Sequence, residues 1–294
     1  MPIFYPDVLD ERTEPFTFNY GDKDVILYAL SVGMGRDPLD GDELAFVSEK
    51  GLKVMPTAAT VLSAAQGRRP RPGPPADKPD HRASSVNSAL RVHGDQKVVW
   101  HRPLPAAGTF TVETRNVAAF DKGQGKGALV VAESIWTDAA GEAVATLTST
   151  SFCRGDGGFG GPAGGGDEPH PNPNRPADLS VDLQTTPEQA LLYRLNGDRN
   201  PLHSDPAWAK RSGFPRPILH GLCTFGVSCH AILKAATGYD PERILSHQAR
   251  FSAPVFPGDL LTVDIWCDGK AIAFEARVKA RGVTVLKNGL TRLR

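Results

Sequence analysis

Two rhythms of hydrophobic and polar positions recur in the same order along this chain, first a helical spacing and then a run of strands. Asp22 to Gly33 places Val25, Ile26, Tyr28, Ala29 and Val32 at helical intervals, after an Asp-rich start and before a glycine stop. Residues 1–20, with Pro2, Pro6 and Pro15, read as a short lead-in to this helix. Ala45-Phe46-Val47 reads as a short strand, and Pro56 to Ala65 as a second helix ending near Gly67. The Pro- and Arg-rich residues 67–82 suit no regular element and read as an exposed loop. From Val86 the texture is strand-like. Val98 to Trp100, Gly108 to Glu113, Leu129 to Trp136 and Ala143 to Cys153 are β-rich. Turn signals separate them at Gly94-Asp95, Pro103 to Gly108, Gly123 to Gly127 and Ala140-Gly141.

The order then repeats. Arg154 to Asp178 is glycine-rich and then proline-rich, the composition of a linker. Leu179 to Thr185 reads as a strand, and Thr186-Pro187-Glu188 starts a helix through Leu195. Ile218 to Ala236 is apolar on nearly all sides, which predicts a buried helix stopped by Gly238. Strands follow at Leu260 to Trp266, Ile272 to Ala280 and Val283 to Asn288. The expectation is an α+β chain of two similar units, 1–153 and 179–294, joined by the linker 154–178.

Composition narrows the function classes. Lys+Arg and Asp+Glu balance at 33 each in 294 residues, so bulk charge points to neither nucleic acid nor a membrane surface. Four irregularly spaced cysteines (Cys153, Cys223, Cys229 and Cys267) make no disulfide framework and suit a reducing compartment. No apolar run reaches the ~20 residues that span a bilayer. Met1 to Pro15 has no signal-peptide pattern and Thr291 to Arg294 is no peroxisomal address. A cytoplasmic protein is expected.

Candidate chemistry concentrates between Tyr193 and Leu233. Asp198 and His203 are five residues apart, which on an unbroken helix would turn them about 140° away from each other. Asn200 precedes Pro201 and is biased out of the α region, and Gly197 permits a further turn. The segment therefore reads as a bent loop that aims a carboxylate and an imidazole at one point, able to hold and deprotonate a water. Ser204 or Asp205 then caps a new helix with Pro206 at its first position. At His220-Gly221 the long helix presents unpaired N–H groups, and Gly221 lets a substrate oxygen approach closely, as an oxyanion hole for an acyl thioester requires.

Asp198-Arg199-Asn200-Pro201-Leu202-His203 followed by Pro217-Ile218-Leu219-His220-Gly221-Leu222 resembles the 2-enoyl-CoA hydratase 2 family, the (R)-specific, MaoC-like branch. Tyr28 to Gly33, Val92 to Gln96, Arg102 to Pro105 and Asp121 to Gly125 are similar to its N-terminal half. The resemblance implies a double hot-dog fold, two units each wrapping an antiparallel sheet around a helix. It implies reversible hydration of trans-2-enoyl-CoA to (3R)-hydroxyacyl-CoA. Asp198, Asn200 and His203 fall on its catalytic positions and Gly221 on its oxyanion-binding glycine; Asp198 would be the principal base and His203 the proton donor. Glu49 matches a glutamate with a supporting role in hydration. The N-terminal half would form the acyl-chain cavity. Acyl-CoA is the expected partner, as substrate; no cofactor and no metal are expected, and a homodimer is.

Plainer readings compete at several positions. His220 reads as structural beside its functional glycine. Cys223, Cys229 and His230 sit on an apolar helix without a second ligand pair, so packing is the better account than metal binding. Gly123 to Gly127 lacks a following helix and reads as a hairpin turn rather than a phosphate loop. No serine or cysteine shows a nucleophile motif. Two other functions stay open: a hot-dog acyl-CoA thioesterase, with water attacking C1, and a subunit of a hetero-oligomeric acyl-CoA hydratase.

Overall fold

The structure, a computed structural model, describes residues 3–63, 91–165 and 170–294. Among the described residues ten strands form one antiparallel sheet: β1 (Phe16–Tyr20), β2 (Arg91–Trp100), β3 (Gly108–Asp121), β4 (Ala128–Thr137), β5 (Ala143–Cys153), β6 (Leu179–Gln184), β7 (Ile244–Phe251), β8 (Leu260–Asp268), β9 (Ala271–Val278) and β10 (Val283–Leu293). Their order across the sheet is β1-β3-β4-β5-β2-β7-β10-β9-β8-β6. It is palindromic: each half contributes five strands in the same internal order, and β2 pairs antiparallel with β7 at the seam, Asp95 opposite Arg250 and Val99 opposite Ser246. Helices α1 (Asp22–Ser31), α2 (Gly41–Leu44) and α3 (Ala59–Leu62) belong to the first half. The second half carries α4 (Gln189–Tyr193), α5 (Pro206–Arg211) and α6 (Gly221–Ile232). This is the double hot-dog arrangement of an α+β chain.

Helix α6 is the axle. Cys223 through Ile232 are all buried, and α6 touches β2 of the first half as well as β6, β7, β8 and β10 of its own. A Cβ on Gly226 would come within 2.5 Å of Val32 and 2.7 Å of the Tyr28 hydroxyl, so glycine is what lets α1 lie this close. After Ile232 the helix widens into a π-turn over Leu233–Thr237 and stops at Gly238, φ 61°. Its far end is held from the first half. Buried Glu43 of α2 accepts hydrogen bonds from His230 Nε2 (3.1 Å), the Tyr239 hydroxyl (3.0 Å) and the Gly35 N–H (3.1 Å), with Lys234 Nζ at 3.6 Å.

Several expectations are corrected. Ala45-Phe46-Val47 is a turn, because Asp40 caps α2 through the Asp42 and Glu43 N–H groups and the chain leaves that helix still coiled. Gly94-Asp95 is no turn: it lies inside β2, as a bulge against Thr150 that breaks the register after His93. Residues 16–20 and 244–251 form β1 and β7, neither of which the pattern announced. The second helix is a 3₁₀ turn at Pro56–Ala58 running into α3, and α6 begins at Gly221, three residues later than Ile218. The loop 67–82 lies outside the described residues. The described linker residues contain no helix or strand, yet their start is pinned, because the Asp121 carboxylate accepts N–H bonds from Gly158 and Gly160 (2.8 Å each). Among the described residues no helix is long and apolar enough to cross a membrane.

Candidate active site

The loop between α4 and α5 is shaped by three local choices. Gly197 takes φ 110°, which reverses the chain after the 3₁₀ turn Arg194–Asn196. Asn200, extended before Pro201 (φ −56°, ψ 124°), accepts the Leu202 N–H on its side-chain oxygen at 3.0 Å and so caps the turn Pro201–His203. Asp205 caps α5 through the Ala207 and Trp208 N–H groups at 2.8 and 3.2 Å. The lead-in is anchored to the other half. Asn196 donates to the Ser31 hydroxyl at 3.0 Å and Gln189 donates to the Ser31 carbonyl at 3.1 Å, both buried. Arg36 reaches across to the Gln189 side-chain oxygen at 2.9 Å.

Three titratable side chains converge there. Asp198 is exposed and accepts the Asn200 N–H on its carboxylate at 3.2 Å. His203 is buried and its Nδ1 lies 2.8 Å from the Ile218 carbonyl. A carbonyl can only accept, so Nδ1 carries the proton and Nε2 is left with a lone pair. His220, buried behind it, lies with Nε2 3.1 Å from the Asp198 carbonyl and by the same argument donates from Nε2. The two imidazoles stack with centroids 3.7 Å apart, and Tyr193 packs on His220 at 4.8 Å. Burial lowers the His203 pKa below its ordinary value, against the opposing pull of the Ile218 carbonyl and the Asp198 charge. Burial and the neighbouring His203 push His220 down to about 4. Both rings are therefore neutral at physiological pH.

Gly221 is the first residue of α6, and no side chain caps the helix at His220. Among the described residues its N–H has no acceptor, as expected of a first-turn donor. A Cβ at Gly221 would sit 3.3 Å from the Phe251 ring, so Phe251 walls this approach. Behind Phe251, at 4.8 Å, stands His93 of β2, which burial keeps neutral with a pKa lowered to about 4. The first half thus contributes to the wall.

Asp198, Asn200, His203 and Gly221 fall on the loop and the helix start that it touches. Glu49 is exposed on the stretch between α2 and Pro56, and the buried glutamate of that region is Glu43. His220, Tyr193, Phe251 and His93 belong to the site as well. His220 was visible as Gly221's neighbour, whereas the other three are brought in by tertiary contacts. Among the described residues the one group of three or more potential metal ligands is Asp198, His203 and His220, with ligand atoms within 4.8 Å of one another. Cys223 and Cys229 are buried, their thiols pushed up to about 12 by burial, and His230 is committed to Glu43.

Residues 169–288 match the family described as the MaoC-like domain, and residues 18–155 match the MFE-2 hydratase 2 N-terminal domain. An enoyl-CoA hydratase of Mycobacterium tuberculosis is 37% identical over 99% of this chain and 98% of its own length. A 3-hydroxyacyl-thioester dehydratase of the same organism is 42% identical over 89% of this chain and 87% of its own. The crystal structure of a MaoC-like dehydratase from Phytophthora capsici is 34% identical and superposes with a TM-score of 0.84, covering 98% of this chain and 97% of that one. A further M. tuberculosis protein described as a double hotdog fold matches at a TM-score of 0.53 and 15% identity, over 96% of this chain and 95% of its own, which bears on the fold alone.

Proposed function

The chain belongs to the MaoC-like 2-enoyl-CoA hydratase 2 family, and from that premise we propose that it is a hydro-lyase that reversibly adds water to trans-2-enoyl-CoA, giving the (3R)-hydroxyacyl-CoA. The observation that carries the reading is the convergence of Asp198 and a neutral His203 beside a helix start whose first N–H, on Gly221, is free to bind an oxygen.

The Gly221 N–H donates to the thioester oxygen and gains strength as enolate charge develops there. Electron density leaves C3, and the water oxygen bonds to it. The tautomer of His203 supports a reversal of the expected division of labour. With Nδ1–H committed to Ile218, the open Nε2 accepts the water proton. The carboxylate of Asp198 accepts the other water hydrogen, orients the nucleophile and steadies the imidazolium. That imidazolium then returns its proton to C2, so one water is added and the enzyme is restored. Asn200 braces the loop through Leu202 and keeps Asp198 and His203 in register.

The test is loss of the conjugated enoyl absorbance on short, medium and long trans-2-enoyl-CoAs, with free thiol followed in parallel. Loss of conjugation without thiol release, abolished in Asp198→Asn and His203→Gln, is the expected result. Thiol release from saturated acyl-CoA would move the enzyme to the thioesterases, and an (S) product would overturn the stereochemical assignment.

A further inference from the structure

Residues 218–221 restrain every group of the proposed site, and His220 does so twice over. Its backbone carbonyl accepts the Cys223 and Thr224 N–H groups at 3.1 and 3.2 Å, which locks that peptide into the first turn of α6. A trans peptide sets the following N–H opposite its carbonyl, so the Gly221 N–H is aimed out of the helix start. The side chain of the same residue turns to the loop that carries Asp198 and His203. Its Nε2 donates to the Asp198 carbonyl at 3.1 Å, and its ring lies on that of His203 with centroids 3.7 Å apart and planes inclined by 25°. Tyr193, itself fully buried, backs the imidazole at 4.8 Å.

Packing alone does not account for a histidine at this place. The residue is 1% exposed, and its Nδ1 is buried with no hydrogen-bond partner among the described residues. A buried acceptor without a donor is a cost that phenylalanine, a ring of similar breadth, would not carry. What histidine adds is the one N–H that reaches Asp198, and Asp198 has few other restraints. Gly197 before it gives the chain no stiffness, and among the described residues its carboxylate accepts only the Asn200 N–H, at 3.2 Å.

We propose that His220 is a positioning residue for hydration, whose Nε2–H fixes the backbone of Asp198 against the peptide that carries the Gly221 N–H. The inference rests on the reading of Asp198, His203 and Gly221 given above. Asp198 orients the water that bonds to C3, while Gly221 holds the thioester oxygen on C1. The distance between these two anchors therefore decides whether the water meets C3, and a misplacement of about 1 Å costs about a hundredfold in rate. His220 lies behind His203 and adds no contact to the substrate, so its loss falls on kcat and spares KM.

Two variants separate the bond from the ring. His220→Phe keeps a ring on His203 and loses the donor, whereas His220→Gln loses the ring and keeps a side-chain N–H at similar reach. In His220→Phe kcat falls about ten- to hundredfold with KM within about twofold, and in His220→Gln kcat recovers to within about threefold of wild type. A histidine kept for packing gives the opposite order, and that order overturns the proposal, as do equal losses in the two variants or a loss confined to KM. The wild-type protein supplies a reading that needs no turnover. At neutral pH the ¹⁵N shifts of its histidines show His220 protonated at Nε2 and bare at Nδ1; the reverse tautomer removes the donor and overturns the proposal even where hydration is confirmed. If wild type hydrates no enoyl-CoA, the hydratase reading fails by itself, and amide hydrogen exchange at residues 198–200 judges the tie. Faster exchange in His220→Phe than in His220→Gln upholds it, and equal exchange ends it.

Discussion

At the scale of single residues, chemistry turns on protons whose positions are dictated by carbonyl partners. His203 cannot offer its Nδ1 proton to a substrate because Ile218 holds it, and burial resists the imidazolium. The reaction therefore needs a neutral ring at the outset, and kcat/KM should fall on the acid side with an apparent pKa below the ordinary 6.5 of imidazole; a limb above that value would refute the assignment of His203 as acceptor. Gly221 is the other constrained residue. In Gly221→Ala the new Cβ meets Phe251 at 3.3 Å and crowds the oxygen's approach. A loss of about a hundredfold in kcat is expected, the scale of a removed oxyanion donor, with the far-ultraviolet circular dichroism unchanged. Partial recovery in Gly221→Ala/Phe251→Ala would show that crowding, rather than loss of the N–H, is responsible.

At the scale of elements, α6 is held at both ends by the other half of the molecule, and the two attachments differ in kind. Near its start, the Cys223 thiol reaches the Ser31 carbonyl of α1 at 3.4 Å, and Gln189 and Asn196 tie the same Ser31 to the lead-in of the loop that carries Asp198 and His203. At its far end buried Glu43 collects His230, Tyr239 and Lys234. Its hydrogen bond from His230 outweighs burial and lowers its pKa to about 2. Because the folded value lies below the unfolded one, this carboxylate stabilises the fold above its ordinary range, and that contribution is lost as pH falls toward 2. Glu43→Ala strands three partners and should cost about 3–5 kcal/mol in a denaturant titration. Tyr239→Phe, which deletes a single hydrogen bond, should cost about 1 kcal/mol. Equal costs would mean that the network is packing alone.

At the scale of the molecule, the seam between β2 and β7 turns two sheets into one. Its visible ion pair, Arg250–Asp95 at 2.8 Å, is about one-third exposed on both sides and contributes little, about 0–1 kcal/mol. The backbone ladder and α6, packed against strands of both halves, make the joint. A chain cut within residues 171–177 should therefore yield halves that fail to fold alone but reassemble when co-expressed, as gel filtration and recovered activity would report. Three neutral histidines, the half-buried His93 and the buried His220 and His247, have pKa values lowered to about 4, 4 and 3. The unfolded chain takes up their protons near 6.5, whereas the folded one resists until pH approaches 4 or below. Stability should fall as pH drops from about 6.5 to 4, and a Tm that stays level through that window would contradict their neutral burial.

What the sequence determined by itself is everything set by neighbours along the chain. Asn200-Pro201 and Gly197 made the bent loop legible, Asp205-Pro206 made the start of α5 legible, and the unbroken apolar run made α6 legible, because caps, φ preferences and helical periodicity act within a few residues. Tertiary structure decided the rest. β7 was hidden because Ser246, His247, Gln248 and Arg250 lie within a strand paired on both edges, so its sequence shows no apolar alternation, and the Gly94 bulge mimics a turn in composition. The stacking of His203 on His220, the choice of Glu43 rather than Glu49 as the buried glutamate, and the wall of Phe251 and His93 all join residues far apart in sequence. Those joins depend on where β2 pairs with β7 and on how closely α1 lies on α6, which are properties of packing across the seam and leave no local periodicity to read.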